Sequence, residues 1–355
     1  MKALIAMSGG VDSSAAALLM QQAGYTCAGA TMQLFHNEDA GIDREKTCCS
    51  LSDVLDAKQV CAKLSMLHYV FNFTDRFARD VMARFAACYD AGRTPNPCID
   101  CNRYLKFDAL LERALLMGYD LLVTGHYARV SYDAHTGRYL LHRAKDPSKD
   151  QSYVLYTLTQ AQLSHIRFPL GDFTKQEVRQ LAASHGFVNA KKADSQDICF
   201  VPDGDYAAFL TRFTGVPDIP GAFTSPDGTV LGQHRGIRHY TIGQRRGLGI
   251  SAPHPLYVLD ILPEEHRVIV GEHGALFTRE LTAGDVNLIS VPDLHEPMRV
   301  TAKIRYRHPA QPALAFQDAN GRLHVEFDEP QRAVTPGQAV VLYDGDTVVG
   351  GGTIL

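Results

Sequence analysis

The chain has 355 residues, a length that predicts two or three domains and allows a sizeable hydrophobic core. Hydrophobic residues make up 45% of the sequence and charged residues 21%, close to the averages for globular proteins, which excludes a disordered or fibrous chain. The formal net charge is −4, and no apolar run approaches the roughly 18 residues that span a bilayer. We therefore expect neither a strongly basic nucleic-acid-binding protein nor a membrane-spanning one.

Strands and helices alternate in the first third of the chain. Short apolar runs predict strands at residues 3–7, 25–32, 68–73 and 120–124. Helices are predicted at residues 15–22, 53–64, 75–89 and 104–117. This alternation is typical of parallel βαβ units, so we expect an α/β domain with a doubly wound parallel sheet that binds ligands at the carboxyl ends of its strands.

The pattern changes after this first part. A β-hairpin is predicted at residues 128–143, and helices at 151–158, 175–185 and 206–213. From Gly215 onward, Gly and Pro separate short β-like runs, of which the clearest lie at 258–261, 267–270, 300–306, 323–327 and 339–343. We expect a small central β-rich domain and a C-terminal β-barrel, with domain limits at residues 1–205, 206–274 and 275–355.

One segment is locally basic. Residues 229–259 contain no Asp or Glu but include four arginines, which are Arg235, Arg238, Arg245 and Arg246. A phosphate contact and a solvated basic loop explain this composition equally well.

The eight cysteines all lie at or before Cys199, in a chain with no recognisable signal peptide. Because secreted disulfide scaffolds spread their cysteines through short chains, we expect a reducing, cytoplasmic environment in which some thiols are kept for chemistry. Cys27, Cys61 and Cys88 lie in apolar stretches and are interpreted as small buried hydrophobes. The adjacent Cys48 and Cys49 are as compatible with packing as with sulfur or metal chemistry.

A glycine loop, Ser8-Gly9-Gly10-Val11-Asp12-Ser13, follows the first predicted strand and precedes a helix. Backbone N–H groups at a helix N-terminus attract phosphate, glycines allow close approach, and the Asp12 carboxylate suits Mg²⁺. The loop is not a Walker A motif, because no Lys follows the glycines. It resembles the PP-loop of ATP pyrophosphatases, which split ATP into AMP and pyrophosphate while adenylating a substrate. A simple helix N-cap is the alternative.

A Pro-rich loop is predicted at residues 94–102 and carries Cys98 and Cys101 in a C-x-x-C motif. In a cytoplasmic protein, two thiols at this spacing indicate a redox pair or half of a metal site. With Cys199 as a third candidate, three thiolates could hold an iron–sulfur cluster with one open iron, or two could handle persulfide sulfur. Lys191 and Lys192 would favour the thiolate of Cys199 if they face it, and a solvated pair of lysines is the alternative.

A wider resemblance rests on eight segments in order along the chain. They are the loop at 8–13, AGRTPNP at 91–97, CN at 101–102, TGHY at 124–127, KDQSY at 149–153, the segment ending at Cys199, GQRRGLG at 243–249 and TPGQ at 335–338. Together they resemble the bacterial tRNA-specific 2-thiouridylases, from the first strand to the last residues. The resemblance implies a PP-loop catalytic domain, a central domain and a C-terminal β-barrel.

The resemblance also implies a reaction. ATP, with Mg²⁺, would adenylate the C2 oxygen of the wobble uridine in tRNA, expected to be the Lys, Glu and Gln isoacceptors, and sulfur would then displace AMP. Cys199 would carry the sulfur as a persulfide, and Cys101 would be the nucleophile that releases it through a transient Cys101–Cys199 disulfide. A cysteine desulfurase would supply the sulfur, directly or through sulfur carriers.

Binding residues carry over by position from the same resemblance. ATP would be held by Ala6, Met7, Ser8, Gly9, Gly10, Val11, Asp12, Ser13, Met32 and Gly125. The target base would contact Asn96, Pro97 and Cys98. The tRNA would contact His126, Lys149, Asp150, Gln151, Arg305, Tyr306 and Gln338.

Position 98 departs from the better-known form of the family, which has an aspartate where this chain has Cys98. With that thiol, Cys98, Cys101 and Cys199 would be able to ligate a [4Fe-4S] cluster that holds the transferable sulfur, as an alternative to the persulfide relay. Two other functions stay open at this point. One is another PP-loop adenylating enzyme, such as those that make NAD or GMP, and the other is a non-catalytic iron–sulfur or RNA-binding protein.

Overall fold

The computed structural model describes residues 1–35, 51–192 and 198–355. The strands, in chain order, are β1 (Lys2–Ala6), β2 (Thr26–Gln33), β3 (Leu67–Asn72), β4 (Leu121–Val123), β5 (Arg129–Asp133), β6 (Arg138–His142), β7 (Ile166–Arg167), β8 (Gly221–Thr224), β9 (Val230–His234), β10 (Tyr257–Leu262), β11 (Arg267–Gly271), β12 (Phe277–Leu288), β13 (Met298–Lys303), β14 (Gln311–Gln317), β15 (Leu323–Arg332), β16 (Ala339–Asp344) and β17 (Thr347–Ile354).

Two of the helices are built from consecutive segments with different hydrogen-bond patterns. The helices are α1 (Val11–Gln22), α2 (Leu51–Lys63), α3 (Thr74–Phe77, Ala78–Met82 and Ala83–Asp90), α4 (Pro97–Asp100, Cys101–Leu110 and Leu111–Leu116), α5 (Gln160–Ser164), α6 (Lys175–Ser184) and α7 (Tyr206–Thr214). Within the described ranges, none of these helices is long and apolar enough to cross a membrane.

The N-terminal sheet has the strand order β3-β2-β1-β4-β7, and every pairing in it is parallel. Successive side chains of a strand point to opposite faces, so Ala3 and Ile5 pack on one side with α1, while Leu4 packs on the other side with α3 and α4. The predicted doubly wound α/β domain is confirmed. The chain leaves β1 toward β2 and later returns to the other side of β1 as β4, which makes the gap between β1 and β4 a topological switch point.

Two β-rich regions follow, as predicted. The central one is a sheet with the order β10-β11-β8-β9. The C-terminal one is a barrel of six strands, β12-β15-β14-β13-β16-β17, that closes through the pairing of β12 with β17. The predicted hairpin forms β5 and β6, and it joins the barrel because Thr347 on β17 pairs with His142 on β6.

The barrel and the N-terminal domain share one core. Val341 and Tyr343 of β16 are fully buried in the same hydrophobic cluster as Leu4 of β1 and Phe85 of α3. Burial of this kind stabilises a contact in proportion to the apolar area removed from water. The barrel therefore packs on the N-terminal domain as part of one body.

The prediction that residues 94–102 form a loop is wrong from Pro97 onward, because α4 begins there rather than at Tyr104. Asn96 is the N-cap of α4, and its side chain accepts the Cys98 N–H at 3.2 Å. Proline is well suited to the first helical position, since its fixed φ matches the helix and no hydrogen bond needs its missing N–H. The proline expected to prevent a helix instead starts it.

The helix predicted at 151–158 is reduced to the short 3₁₀ turn Ser152–Leu155. The Asp150 carboxylate accepts the backbone N–H groups of Ser152, at 3.1 Å, and Ala144, at 3.2 Å. The Tyr153 hydroxyl donates to the Ala339 carbonyl of β16 at 2.8 Å. These side-chain bonds compete with helical hydrogen bonds and fix the segment against the barrel.

Candidate active site

The glycine loop lies at the carboxyl end of β1, where the chain turns into α1. Gly10 is the N-cap residue and makes no side-chain cap, so the N–H groups of the first turn are not satisfied by a capping side chain. The Ser13 and Ser14 hydroxyls each donate to the Gly10 carbonyl at 3.0 Å, which keeps the loop tightly folded. Together with the helix dipole, this arrangement provides an anion-binding cradle.

Two glycines allow the loop to fit its surroundings. Gly9 has a φ of +70°, and a Cβ there would lie 2.5 Å from the carbonyl oxygen of Asp53. A Cβ on Gly125, which follows β4, would lie 2.8 Å from the backbone nitrogen of Ser13. The predicted ATP-binding residues 6–13 and Gly125 therefore meet at the switch point between β1 and β4, and Met32 lies on the adjacent strand β2.

The Lys175 ammonium group lies beside the glycine loop. Sequence analysis did not identify this residue. Lys175 Nζ is 2.8 Å from Asp12 Oδ1 and 2.7 Å from Asp12 Oδ2, and the Tyr127 hydroxyl donates to the same Oδ1 at 2.8 Å. Lys175 is the first residue of α6, which Thr174 caps with a capping box. The carboxylate predicted to serve Mg²⁺ is thus at the loop, and an ammonium group neutralises it.

A second contact to the loop comes from the segment that leads to Cys199. Asn189 Nδ2 donates to the Gly9 carbonyl at 3.0 Å and to Ser14 Oγ at 2.9 Å. Lys192 Nζ lies 2.6 Å from Asp53 Oδ1 and 2.6 Å from a carboxylate oxygen of Asp56. Neither alternative considered for Lys191 and Lys192 included this ion pair with α2, in which Lys192 shares its charge with two carboxylates.

The predicted catalytic thiols lie on two elements that pack on one core. Cys98 is exposed and Cys101 is half-buried, both at the start of α4. Cys199 is also half-buried, and Cys101 and Cys199 contact the same hydrophobic cluster. The adjacent Phe200 anchors the Cys199 segment, with its ring 5.6 Å from that of Phe77 and 5.4 Å from that of Phe85.

The three thiols proposed as cluster ligands are not gathered into a metal site. In the part of the chain that the structure describes, which includes Cys98, Cys101 and Cys199, no group of three or more His, Cys, Asp or Glu side chains is placed to hold a metal ion. The described residues therefore add no support for the [4Fe-4S] alternative. Cys48 and Cys49 lie outside the described residues.

The three other described cysteines all have a raised thiol pKa. Burial raises the pKa of Cys61 to about 11 and raises the pKa of Cys27. Burial and the nearby Asp100 carboxylate raise the pKa of Cys88. A thiol with a raised pKa is protonated at neutral pH and is a poor nucleophile. The interpretation as a small buried hydrophobe is confirmed for Cys61, whereas Cys27 and Cys88 are only half-buried.

Asp100 lies between the two thiols of the C-x-x-C motif and was not singled out from the sequence. Burial raises the pKa of its carboxyl to about 6, although the Arg84 and Arg103 guanidinium groups act in the opposite direction. Arg84 Nε lies 3.6 Å from Asp100 Oδ1. A titratable group near neutral pH therefore lies in the first turn of α4.

Several predicted tRNA contacts have structural partners. His126 is only 8% exposed, Thr124 Oγ1 is 2.7 Å from its Nδ1, and burial holds its pKa well below the usual range, so the ring is neutral. Gln151 Oε1 accepts the Tyr127 N–H at 3.0 Å. Arg305 Nη2 donates to Thr335 Oγ1 at 2.7 Å. These side chains shape the surface as well as being candidates to touch a ligand.

A basic and aromatic region lies where the barrel meets the N-terminal domain. Tyr306 is 37% exposed, and its hydroxyl is 3.4 Å from the Asp150 carbonyl. Lys303 Nζ lies 5.8 Å from the centre of the Tyr306 ring, and burial together with the nearby Arg143 lowers the pKa of Lys303. Arg143 itself stacks on the Tyr343 ring at 3.9 Å. Charged groups next to aromatic rings are what RNA phosphates and bases require.

The comparisons with known proteins cover the whole chain. Family models match residues 1–203 (tRNA methyl transferase HUP domain), 207–272 (tRNA methyl transferase PRC-barrel domain) and 278–354 (aminomethyltransferase β-barrel domain). A tRNA-specific 2-thiouridylase of Acetivibrio thermocellus is 50% identical over 99% of both chains. One of Moorella thermoacetica is 52% identical over 99% of this chain and 98% of its own. The chain belongs to the tRNA-specific 2-thiouridylase family.

Similarity to solved structures is weaker. A 4-thiouridine synthetase in complex with RNA and ATP matches 57% of this chain and 45% of its own, at 17% identity with a TM-score of 0.37. The family assignment rests on the full-length relatives.

The basic segment 229–259 divides into two parts. Arg238 is buried, and its Nε donates to Asp90 of α3 at 2.6 Å, which ties the central sheet to the N-terminal domain. Arg235, Arg245 and Arg246 are exposed. Only these three are placed to meet a solvent-borne phosphate, and within the family fold Arg238 has a structural role.

Proposed function

We propose that this protein is a tRNA 2-thiouridylase, which uses ATP to replace the C2 oxygen of the wobble uridine with sulfur. The observation that carries the proposal is a phosphate-binding loop and two half-buried thiols, Cys101 and Cys199, on one domain. Two full-length relatives that carry this name have 50% and 52% sequence identity to the chain.

The loop suits the adenylation half of the reaction. A uracil carbonyl is a poor electrophile with a poor leaving group, and transfer of AMP to its oxygen gives sulfur a group to displace. The N–H groups at the start of α1 would bind ATP phosphates, and Asp12 would ligate Mg²⁺. The metal would neutralise charge on the departing pyrophosphate. Lys175, which forms an ion pair with Asp12, adds a positive charge at the same place.

The thiols suit the sulfur-transfer half. The terminal sulfur of a Cys199 persulfide would attack C2 and expel AMP, leaving the base joined to Cys199 through a disulfide. The Cys101 thiolate would then attack Cys199 Sγ, so that the base leaves as 2-thiouridine and a Cys101–Cys199 disulfide forms. A dithiol reductant supplies the two electrons that reset the pair. No step is assigned to an iron–sulfur cluster, because the described residues show no gathered set of ligands for one.

The partners are those that the family resemblance implies. The substrate would be tRNA for Lys, Glu or Gln, bound across the basic and aromatic region around Lys303 and Tyr306. A cysteine desulfurase or a sulfur carrier would load Cys199. The thiol chemistry requires the reducing conditions of the cytoplasm.

One experiment tests the proposal. Unmodified tRNA is incubated with the protein, ATP, Mg²⁺ and a persulfide-loading cysteine desulfurase, and its nucleosides are analysed. We expect 2-thiouridine from the wild type and from Cys27→Ala, but none from Cys101→Ala or Cys199→Ala. A methyl transferase would instead give methylated nucleoside with S-adenosylmethionine and no ATP, and that result would refute thiolation.

A further inference from the structure

The C-terminal barrel holds the turn that carries Cys98 and Cys101 from its N-terminal side. The loop between β15 and β16 lies against residues 94–95: the Thr94 N–H donates to the Pro336 carbonyl at 2.9 Å. Gln338 Nε2 donates to the Thr94 carbonyl at 2.7 Å and is 3.4 Å from the Pro95 carbonyl. Both N–H bonds of the Gln338 amide therefore have a carbonyl acceptor in the chain entering α4.

The approach of this barrel loop is very close. Gly337 has a φ of +89°, a conformation that favours glycine, and a Cβ there would lie 3.0 Å from the Thr94 nitrogen. Any larger residue would push the loop away from the chain that leads to Asn96, the N-cap of α4. The contact is thus built into the backbone of both partners.

The barrel also holds the turn from its C-terminal side. Arg103, two residues after Cys101, forms a two-contact ion pair with Asp285 of β12, in which Nη2 lies 3.1 Å from Oδ1. Asp285 has a φ of +48° and lies where the register of β12 against β17 shifts. Such irregularities re-aim a side chain, and here the side chain meets α4.

We propose that the barrel positions the thiol turn of α4, and that Gln338 acts on this turn through Thr94 and Pro95. Gln338 and the Arg103–Asp285 pair fix the two ends of the segment 94–103, so Cys101 keeps its half-buried place on the core shared with Cys199. The consequence for turnover rests on the proposed function. The consequence for the exposure of Cys101 does not.

The test measures thiol exposure without tRNA or ATP. Wild type and variants are treated briefly with iodoacetamide, and the tryptic peptide 94–103 is quantified by mass spectrometry, with Cys98→Ser in every background so that only Cys101 reacts. Gln338→Ala and Asp285→Asn should each raise the alkylation rate of Cys101 about fivefold, equivalent to about 1 kcal/mol for one lost hydrogen bond.

Matched controls exist on the same barrel. Gln317 Nε2 donates to the Gly321 carbonyl at 2.9 Å, and Arg299 pairs with Asp328 at 2.7 Å, both away from α4. Gln317→Ala and Asp328→Asn should alkylate at the wild-type rate. In parallel, Asp285→Asn in the protein with native Cys98 should lower kcat for thiolation and leave the Kd for tRNA unchanged.

The outcomes separate the two readings. Wild-type alkylation of Cys101 in a folded Gln338→Ala protein would overturn the proposal, whatever the Kd of that variant for tRNA. If Gln338→Ala fails to fold, Asp285→Asn decides, and equal rates for Asp285→Asn and Asp328→Asn would overturn it. If the wild type does not thiolate tRNA, the alkylation comparison still decides whether the barrel positions the turn.

Discussion

Replacing Lys175 by Met should weaken ATP binding because it leaves Asp12 uncompensated beside the phosphate-binding loop. In the structure both carboxylate oxygens of Asp12 lie within 2.8 Å of Lys175 Nζ. The Lys175 side chain is 12% exposed and that of Asp12 31%, so this pair is neither fully buried nor fully solvated.

The magnitude follows from that intermediate burial. Exposed pairs contribute up to about 1 kcal/mol, and loss of one partner of a buried pair costs about 3–5 kcal/mol. We expect about 2 kcal/mol against the binding of an anion, or about a thirtyfold higher Kd for ATP. Loss of the positive charge of Lys175 also raises the Kd for ATP, because that charge attracts the phosphates.

The assay is calorimetric titration of ATP in the absence of both Mg²⁺ and tRNA, so that no metal ion compensates Asp12. Lys145→Met is the matched control. The Lys145 side chain is 56% exposed, and its Nζ lies 3.8 Å from Glu177, which is on α6 like Lys175. Adding Asp12→Asn to Lys175→Met should recover part of the lost affinity in this metal-free assay, because it removes the uncompensated negative charge. A Lys175→Met protein with the wild-type Kd for ATP would refute the electrostatic argument.

Three further predictions concern the loop and the thiol turn. Because the folded pKa of Asp100 is raised to about 6 above an ordinary value of 3.8, its contribution to stability is present below pH 4 and is lost as pH rises through 6. Asp100→Asn should therefore gain up to about 3 kcal/mol relative to wild type between pH 4 and 7 in urea denaturation, and a constant difference would contradict this. Gly9→Ala should lower the affinity for ATP more than tenfold, as measured by titration. The control is Gly24→Ala, which is also at positive φ but has nothing within 4 Å of an added Cβ. It should lose only about 1 kcal/mol of stability in thermal unfolding. Asn96→Ala should lose about 1 kcal/mol of stability and slow thiolation. The control Asp205→Ala removes the N-cap of α7 and should lose as much stability with an unchanged thiolation rate. Equal thiolation rates in the two variants would exclude a role for the Asn96 cap in positioning the thiols.

Local patterns were sufficient for most of the N-terminal domain. The run at 3–7 and the glycines after it predicted β1, the loop and α1, because each depends on residues adjacent in the chain. The start of α4 was misplaced since Pro97 was read as a helix breaker, and only its position directly after the Asn96 cap makes it a helix starter.

Long-range contacts explain what sequence analysis missed in the site. Lys175 meets Asp12 from 163 positions away, and Asn189 reaches the Gly9 carbonyl from 180 positions away. A capping box marks the start of α6, but no local pattern indicates which carboxylate Lys175 will meet. The role of Gln338 was equally invisible, because its partners at 94–95 lie at the other end of the chain.

The pairing of β6 with β17 has a consequence for the order of events during synthesis. The edge of β6 that receives Thr347 is made when His142 leaves the ribosome, 205 residues before its partner. At about 5–20 residues per second, that edge waits for roughly 10–40 seconds. An open strand edge is a site of mispairing with other chains, so this edge of the nascent protein is open to mispairing until its last strand arrives.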